Sequence, residues 1–121
     1  MVNIKSFDEL KIPEKHKTFL KTFLNRIAHS GKERKVILFG SCARGTASVE
    51  SDIDIAVLSE KMSDEDYIEL CDYLPDYEND AYVECDLITM SFDVYNKNLT
   101  EIGYVQRHIE REGIDLSGLI Q

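Results

Sequence analysis

The sequence predicts an α/β fold: a small mixed β-sheet backed by helices on one face, in a single domain over residues 1–121. Three observations carry this. Apolar residues recur at helical spacing between Pro13 and Gly31, an unbroken apolar run at 36–39 ends on a glycine, and the stretches 52–58 and 82–89 alternate with period two.

In the first helix Phe19, Leu20, Phe23, Leu24, Ile27 and Ala28 share one face, with a proline near its start and a glycine just past its end. Val36, Ile37, Leu38 and Phe39 have the composition of a strand buried on both faces. Residues 41–51, with Gly45, Thr46, Ser48 and Ser51, predict a loop holding one short helical turn. In the second strand, 52–58, period two puts Asp52, Asp54 and Ala56 on one face and Ile53, Ile55 and Val57 on the other. Ser63 and Asp66 have capping-box spacing and open a second helix that runs towards Pro75. The acidic stretch 72–80 reads as a solvated connection. In the third strand, 82–89, Glu84, Asp86 and Ile88 share a face. Val94, Leu99, Ile102, Val105 and Ile109 predict one long final helix ended by Gly113, with a short strand or tail at 114–116.

Composition narrows the function. With 23 acids against 14 bases the chain carries a net charge of -9, and its only basic concentration is the short stretch 32–35. Tracking a nucleic-acid backbone requires a basic surface that releases counterions, so no direct nucleic-acid partner is expected. Three cysteines, Cys42, Cys71 and Cys85, form no C-x-x-C pair, which predicts reduced thiols in the cytoplasm and neither a disulfide framework nor a zinc site. The first ten residues hold Lys5, Asp8 and Glu9 and no apolar signal core, so neither secretion nor a membrane span is expected.

The chemistry lies in one spacing: Gly40-Ser41, then Asp52-x-Asp54, then Asp86 between apolar neighbours on a later strand. Glycine at a strand end lets backbone N–H groups approach a phosphate, and Ser41 adds a hydroxyl donor. Aspartates two apart on a strand project side by side, which is unfavourable without a cation between them. Hard oxygen ligands with no neighbouring His or Cys select Mg²⁺ or Mn²⁺, ions that commonly bridge carboxylates to substrate phosphates. If Asp86 lies on a strand beside the pair, a third carboxylate completes a two-ion site suited to in-line phosphoryl or nucleotidyl transfer. Arg44 either contacts a triphosphate or pairs structurally with the aspartates. Glu84 touches metal or sits at the rim. Cys42 and Cys85 read as small buried hydrophobes, and His16, His29 and His108, which lack ligand spacing, as surface or helix-end residues.

The segment Leu38-Phe39-Gly40-Ser41-Cys42-Ala43-Arg44-Gly45, followed by Ser51-Asp52-Ile53-Asp54-Ile55-Ala56-Val57 and then Val83-Glu84-Cys85-Asp86-Leu87, resembles the minimal nucleotidyltransferases of the polymerase-beta-like superfamily. The likeness covers roughly residues 36–88. It implies that fold, with Gly40 and Ser41 on the triphosphate, Asp52 and Asp54 on metal, and Asp86 on metal while helping to activate the attacking hydroxyl. It also implies ATP as substrate, two Mg²⁺ ions, and a HEPN-domain ribonuclease as partner. In that picture AMP is transferred to a tyrosine of the partner, and the chain is the antitoxin of a type VII-like toxin–antitoxin pair. Two alternatives stay open: an antitoxin that blocks its HEPN partner sterically, and an aminoglycoside-type enzyme acting on a small molecule.

Overall fold

A computed structural model describes residues 1–80, 82–99 and 104–120. Its five-stranded mixed sheet is centred on β2 (Lys35–Phe39). On one side of β2 lies β3 (Ile53–Ser59), antiparallel, followed by β4 (Cys85–Ser91), parallel to β3. On the other side lies β5 (Ile114–Asp115), antiparallel to β2, with β1 (Val2–Asn3) parallel to β5 at the edge. A parallel neighbour requires a crossover, and α3 (Asp64–Tyr73) supplies it between β3 and β4.

One face of the sheet packs on α1 (Glu14–Ser30). Phe19, Leu20, Phe23, Leu24 and Ile27 meet Val36, Leu38, Ile53, Ile55 and Val57 in the main core, joined by Leu70 of α3. Each such fully buried side chain contributes about 1.5–3 kcal/mol of hydrophobic stabilisation. Helix α1 ends as its sequence requires, with Gly31 left-handed at φ 71° and its N–H donating to the Ala28 carbonyl. The capping box of α3 is present in full: Asp66 N–H donates to Ser63 Oγ at 3.1 Å, and Ser63 N–H donates to Asp66 Oδ2 at 2.9 Å. The predicted short helical turn after β2 is α2 (Gly40–Arg44).

Three expectations need correction. The sheet is covered on both faces: α4 (Phe92–Lys97) and α5 (Val105–Glu112) bring Tyr95 and Ile109 onto Ile37, Phe39, Ala56, Leu58 and Met90. An apolar run buried on both faces demands such a cover, because Ile37 and Phe39 alternate away from α1. The final helix is two helices. Helix α4 starts at the Ser91 cap and gives way at Asn98, after Asn96, two side chains that compete for backbone hydrogen bonds; Ile102, counted in the long helix, lies outside the described residues. The strand expected at 82–89 begins three residues later, since Tyr82 N–H is taken by the Asn79 carbonyl in a turn and the ladder starts at Ile53↔Cys85. Residues 76–80 are exposed, as a solvated connection requires.

Register places the site. Phe39 pairs with Asp54 and Asp54 with Asp86, so the end of β2 and the beginnings of β3 and β4 meet at one edge of the sheet, with α2 turning away beside them.

Candidate active site

Asp54 stands at the centre of this edge. It is partly buried on the face that carries Ala56 and Leu58, beyond the last apolar residues of the second core. Asp86 is its direct neighbour in the parallel ladder and therefore shares its face. The Asp54 carboxyl is pushed up from 3.8 to about 6, first by burial, then by the charge of Asp86 and a hydrogen bond shared with it, then by the charge of Asp52; Arg44 opposes the rise. Asp52, exposed, lies just before β3. Asp86 and Asp52 thus both act on the Asp54 carboxyl at the sheet edge.

The backbone that carries Asp52 is held from several sides. Cys42 Sγ lies 3.6 Å from the Asp52 carbonyl as a donor, and Ile53 N–H donates to the Glu84 carbonyl at 2.8 Å. Ser51 N–H donates to Ser48 O at 3.0 Å while Ser48 N–H donates to Ser51 Oγ at 2.9 Å. The Ser51 carbonyl accepts from His16 Nε2 at 2.7 Å. A carbonyl only accepts, so Nε2 carries the proton of this contact. The other ring nitrogen, Nδ1, is buried without a partner among the described residues. His16 is therefore at a helix end but not at the surface: it stands fully buried in the first turn of α1 and reaches the loop that enters the site, while His29 and His108 are exposed.

Gly40 begins α2 with φ 71°, a left-handed conformation that favours glycine. A Cβ there would overlap Asp54 Oδ2 and lie 3.0 Å from Asp54 Cγ. Only a residue without a side chain lets the backbone of α2 approach the carboxylate so closely. Ser41 follows, half-buried. Arg44, exposed, pairs with neither Asp52 nor Asp54; its Nη1 donates to Glu112 Oε1 and Oε2, both at 3.2 Å. Glu112 Oε1 also accepts from Gly40 N–H at 3.1 Å. Sequence reading missed Glu112 and His16, since nothing in their local pattern marks them. Glu84 is exposed at the rim and accepts from the Tyr82 hydroxyl at 3.4 Å. Burial, and next the charge of Asp54, lift the thiols of Cys42 to about 11 and Cys85 to about 12, which suits inert packing rather than nucleophilic chemistry.

As metal donors these residues are of the right kind. Among the described residues no three His, Cys, Asp or Glu side chains form a ready-made metal cluster. What the edge offers is three hard oxygen donors; burial first, and then the charges of Asp86 and Asp52, lift the Asp54 carboxyl, and a divalent cation relieves that repulsion. The donor chemistry therefore fits Mg²⁺ or Mn²⁺. An open groove of about 1110 Å³ at the opposite end of β2 and β3, lined by Arg34, Lys35, Ser59, Lys61 and Asp66 among others, contains none of these groups. Among the described residues no helix is long and apolar enough to cross a membrane.

Comparison with known proteins agrees with this geometry. The sequence model of the nucleotidyltransferase domain matches residues 20–116. The chain is 31% identical over 110 residues to the "Putative protein adenylyltransferase MJ0128" of Methanocaldococcus jannaschii, covering 90% of this chain and 96% of that protein. It is 35% identical over 113 residues to the "Putative protein adenylyltransferase MJ1379" of the same organism, with the same coverage of both. The mixed sheet with its flanking helices is the polymerase-beta-like nucleotidyltransferase fold in a minimal form. A nucleoside triphosphate is accordingly its substrate. The chain belongs to the nucleotidyltransferase domain family, and its chemistry is the transfer of a nucleotidyl group.

Proposed function

We propose that the protein transfers AMP from ATP to a hydroxyl of a partner protein. The observation that carries the reading is the in-register juxtaposition of Asp54 and Asp86 beneath the Gly40 backbone, with Asp52 at the entrance to the same edge. Gly40 and Ser41 bind the triphosphate through a backbone N–H and a hydroxyl. Asp52, Asp54 and Asp86 hold Mg²⁺; when bound, the ion supplies neutralisation of the triphosphate and of the charge on the attacking and leaving oxygens. Asp86, exposed next to Asp54, takes the proton of the acceptor hydroxyl. The acceptor oxygen forms its bond to the α-phosphorus, the bond from that phosphorus to the α–β bridging oxygen breaks, and pyrophosphate leaves.

A protein acceptor is supported by the names of the two Methanocaldococcus jannaschii relatives. Our reading of the partner is a HEPN-domain ribonuclease modified on a tyrosine, with this cytoplasmic chain as its antitoxin; it rests on the family resemblance of the three motifs. The test is incubation of the protein with α-labelled ATP, Mg²⁺ and the product of the adjacent reading frame. Label should enter the partner and fall by about a thousandfold or more with Asp54→Asn, in line with the loss of a central catalytic group. Undiminished labelling by Asp54→Asn would refute the catalytic assignment, and protection of the partner without nucleotide would favour steric blocking instead.

A further inference from the structure

The two donors nearest the proposed triphosphate site are already engaged. Gly40 N–H and Arg44 Nη1 both donate to the carboxylate of Glu112, at 3.1 and 3.2 Å, across 72 and 68 residues of sequence. The Glu112 side chain keeps 18% of its exposure, so it has an open path to solvent. Its backbone is closely packed. At Gly113, the next residue, a Cβ would overlap the Ile109 carbonyl and lie 2.7 Å from Ile37 Cγ2, which seats the end of α5 tightly on β2.

We propose that Glu112 sets the affinity of the site for its nucleotide: it is an internal anion that holds the Gly40 N–H and the Arg44 guanidinium until a triphosphate displaces it. The inference rests on the reading of Gly40 as a triphosphate ligand. A single N–H directed at one acceptor does not serve a phosphate oxygen at full strength as well, and a carboxylate beside a polyanion is repelled by it. Glu112 thus lowers apparent affinity by the fraction of molecules in which it occupies the donors. In return it keeps Arg44 poised at α2 and shields two donors that would otherwise draw any passing anion. The same contact makes Glu112 the link between α5, which covers the second sheet face, and the mouth of the site.

The test compares Mg²⁺–ATP binding by calorimetry in the wild type and in Glu112→Gln, which keeps shape and removes the charge. The expected result is a Kd lower by about tenfold in the variant, equivalent to about 1.4 kcal/mol. A purely structural strut would give the opposite sign. The wild-type protein supplies a second measurement that needs no variant: on addition of Mg²⁺–ATP, the Gly40 amide and the Glu112 side-chain carboxyl carbon should shift together in NMR spectra. Equal or weaker binding by Glu112→Gln, or ATP binding to the wild type with both resonances unmoved, overturns the inference and leaves the nucleotide site standing. Absence of ATP binding in both proteins removes the nucleotide reading of the site, and this inference with it.

Discussion

Replacing Gly40 by alanine tests the site where backbone and carboxylate are closest. Two costs follow from the structure. At φ 71° a residue with a Cβ loses about 1–2 kcal/mol relative to glycine. The added methyl also overlaps Asp54 Oδ2 and sits 3.0 and 3.3 Å from Asp54 Cγ and Cβ, so the Asp54 side chain must leave its position. Asp54 is pinned by the ladder on both sides, to Phe39 and to Asp86, so the adjustment falls on its χ angles at roughly 0.5–1.5 kcal/mol. The sum is about 1.5–3.5 kcal/mol. At roughly 3–5 °C per kcal/mol for a domain of this size, Tm should fall by about 5–18 °C. The functional cost is larger, because a displacement of about 1 Å at a reacting group costs on the order of a hundredfold in rate. Gly45→Ala is the matched control: Gly45 has φ 77°, but its Cβ would meet nothing within 4 Å. It should lose the backbone contribution alone and retain its transfer rate. Thermal melts and labelled-ATP transfer, run well below either Tm, measure both quantities. Wild-type activity in Gly40→Ala, or an equal loss of activity in Gly45→Ala, would refute the argument that the approach to Asp54 is what demands glycine.

Other perturbations have definite signs. The Asp54 carboxyl is raised from 3.8 to about 6 in the folded protein, so between these values the native state holds a proton that the unfolded chain has released. Stability measured by denaturant unfolding without divalent ions should therefore fall as pH rises from about 4 to 6 and level off above, and Asp54→Asn should remove that slope. At His16, glutamine can present an amide N–H at the distance of Nε2, whereas asparagine stops short at the position of Nδ1. His16→Gln should keep most of the transfer activity, and His16→Asn should lose it through a raised Mg²⁺ requirement as Asp52 drifts, at similar Tm. Equal activity in the two variants would show that the Ser51 contact positions nothing.

What could be read from the sequence was whatever depends on short spacing. The first helix was legible because its apolar period, its proline and its closing glycine agree. The Asp52-x-Asp54 pair was legible because a strand turns a separation of two into a shared face. The final helix was overread because an apolar period measures only which residues want burial, and α4 and α5 bury theirs against the same sheet face from two separate helices. The cover on the second face was implied by the run of β2 but not drawn from it. The sequence points to Asp86 through its alternating strand and the family resemblance, and only the crossover through α3 decides that it meets Asp54 rather than another position. Glu112 and His16 meet their partners across 72 and 35 residues, a distance at which no local pattern gives a signal.

The placement of Asp54 follows from where the second apolar layer ends. Along one face of β3 the residues run Leu58, Ala56, Asp54: the first two are fully buried under α4 and α5, and the third emerges partly at the margin. On β4 the same face runs Met90, Ile88, Asp86, from buried to exposed. Two parallel strands thus cross from core to water within the same two residue steps, and the carboxylates stand in register at the crossing. A carboxyl held deeper would give up its charge, and one held further out would neither sense its neighbours nor be fixed by them. Burial is accordingly the largest contribution to the raised Asp54 carboxyl, with Asp86 next. The hydrophobic cover that stabilises the sheet is the same feature that tunes the site. Moving α5 along β2 would therefore change the chemistry at Asp54 as well as the position of Glu112, which is why the tight seat at Gly113 matters beyond packing.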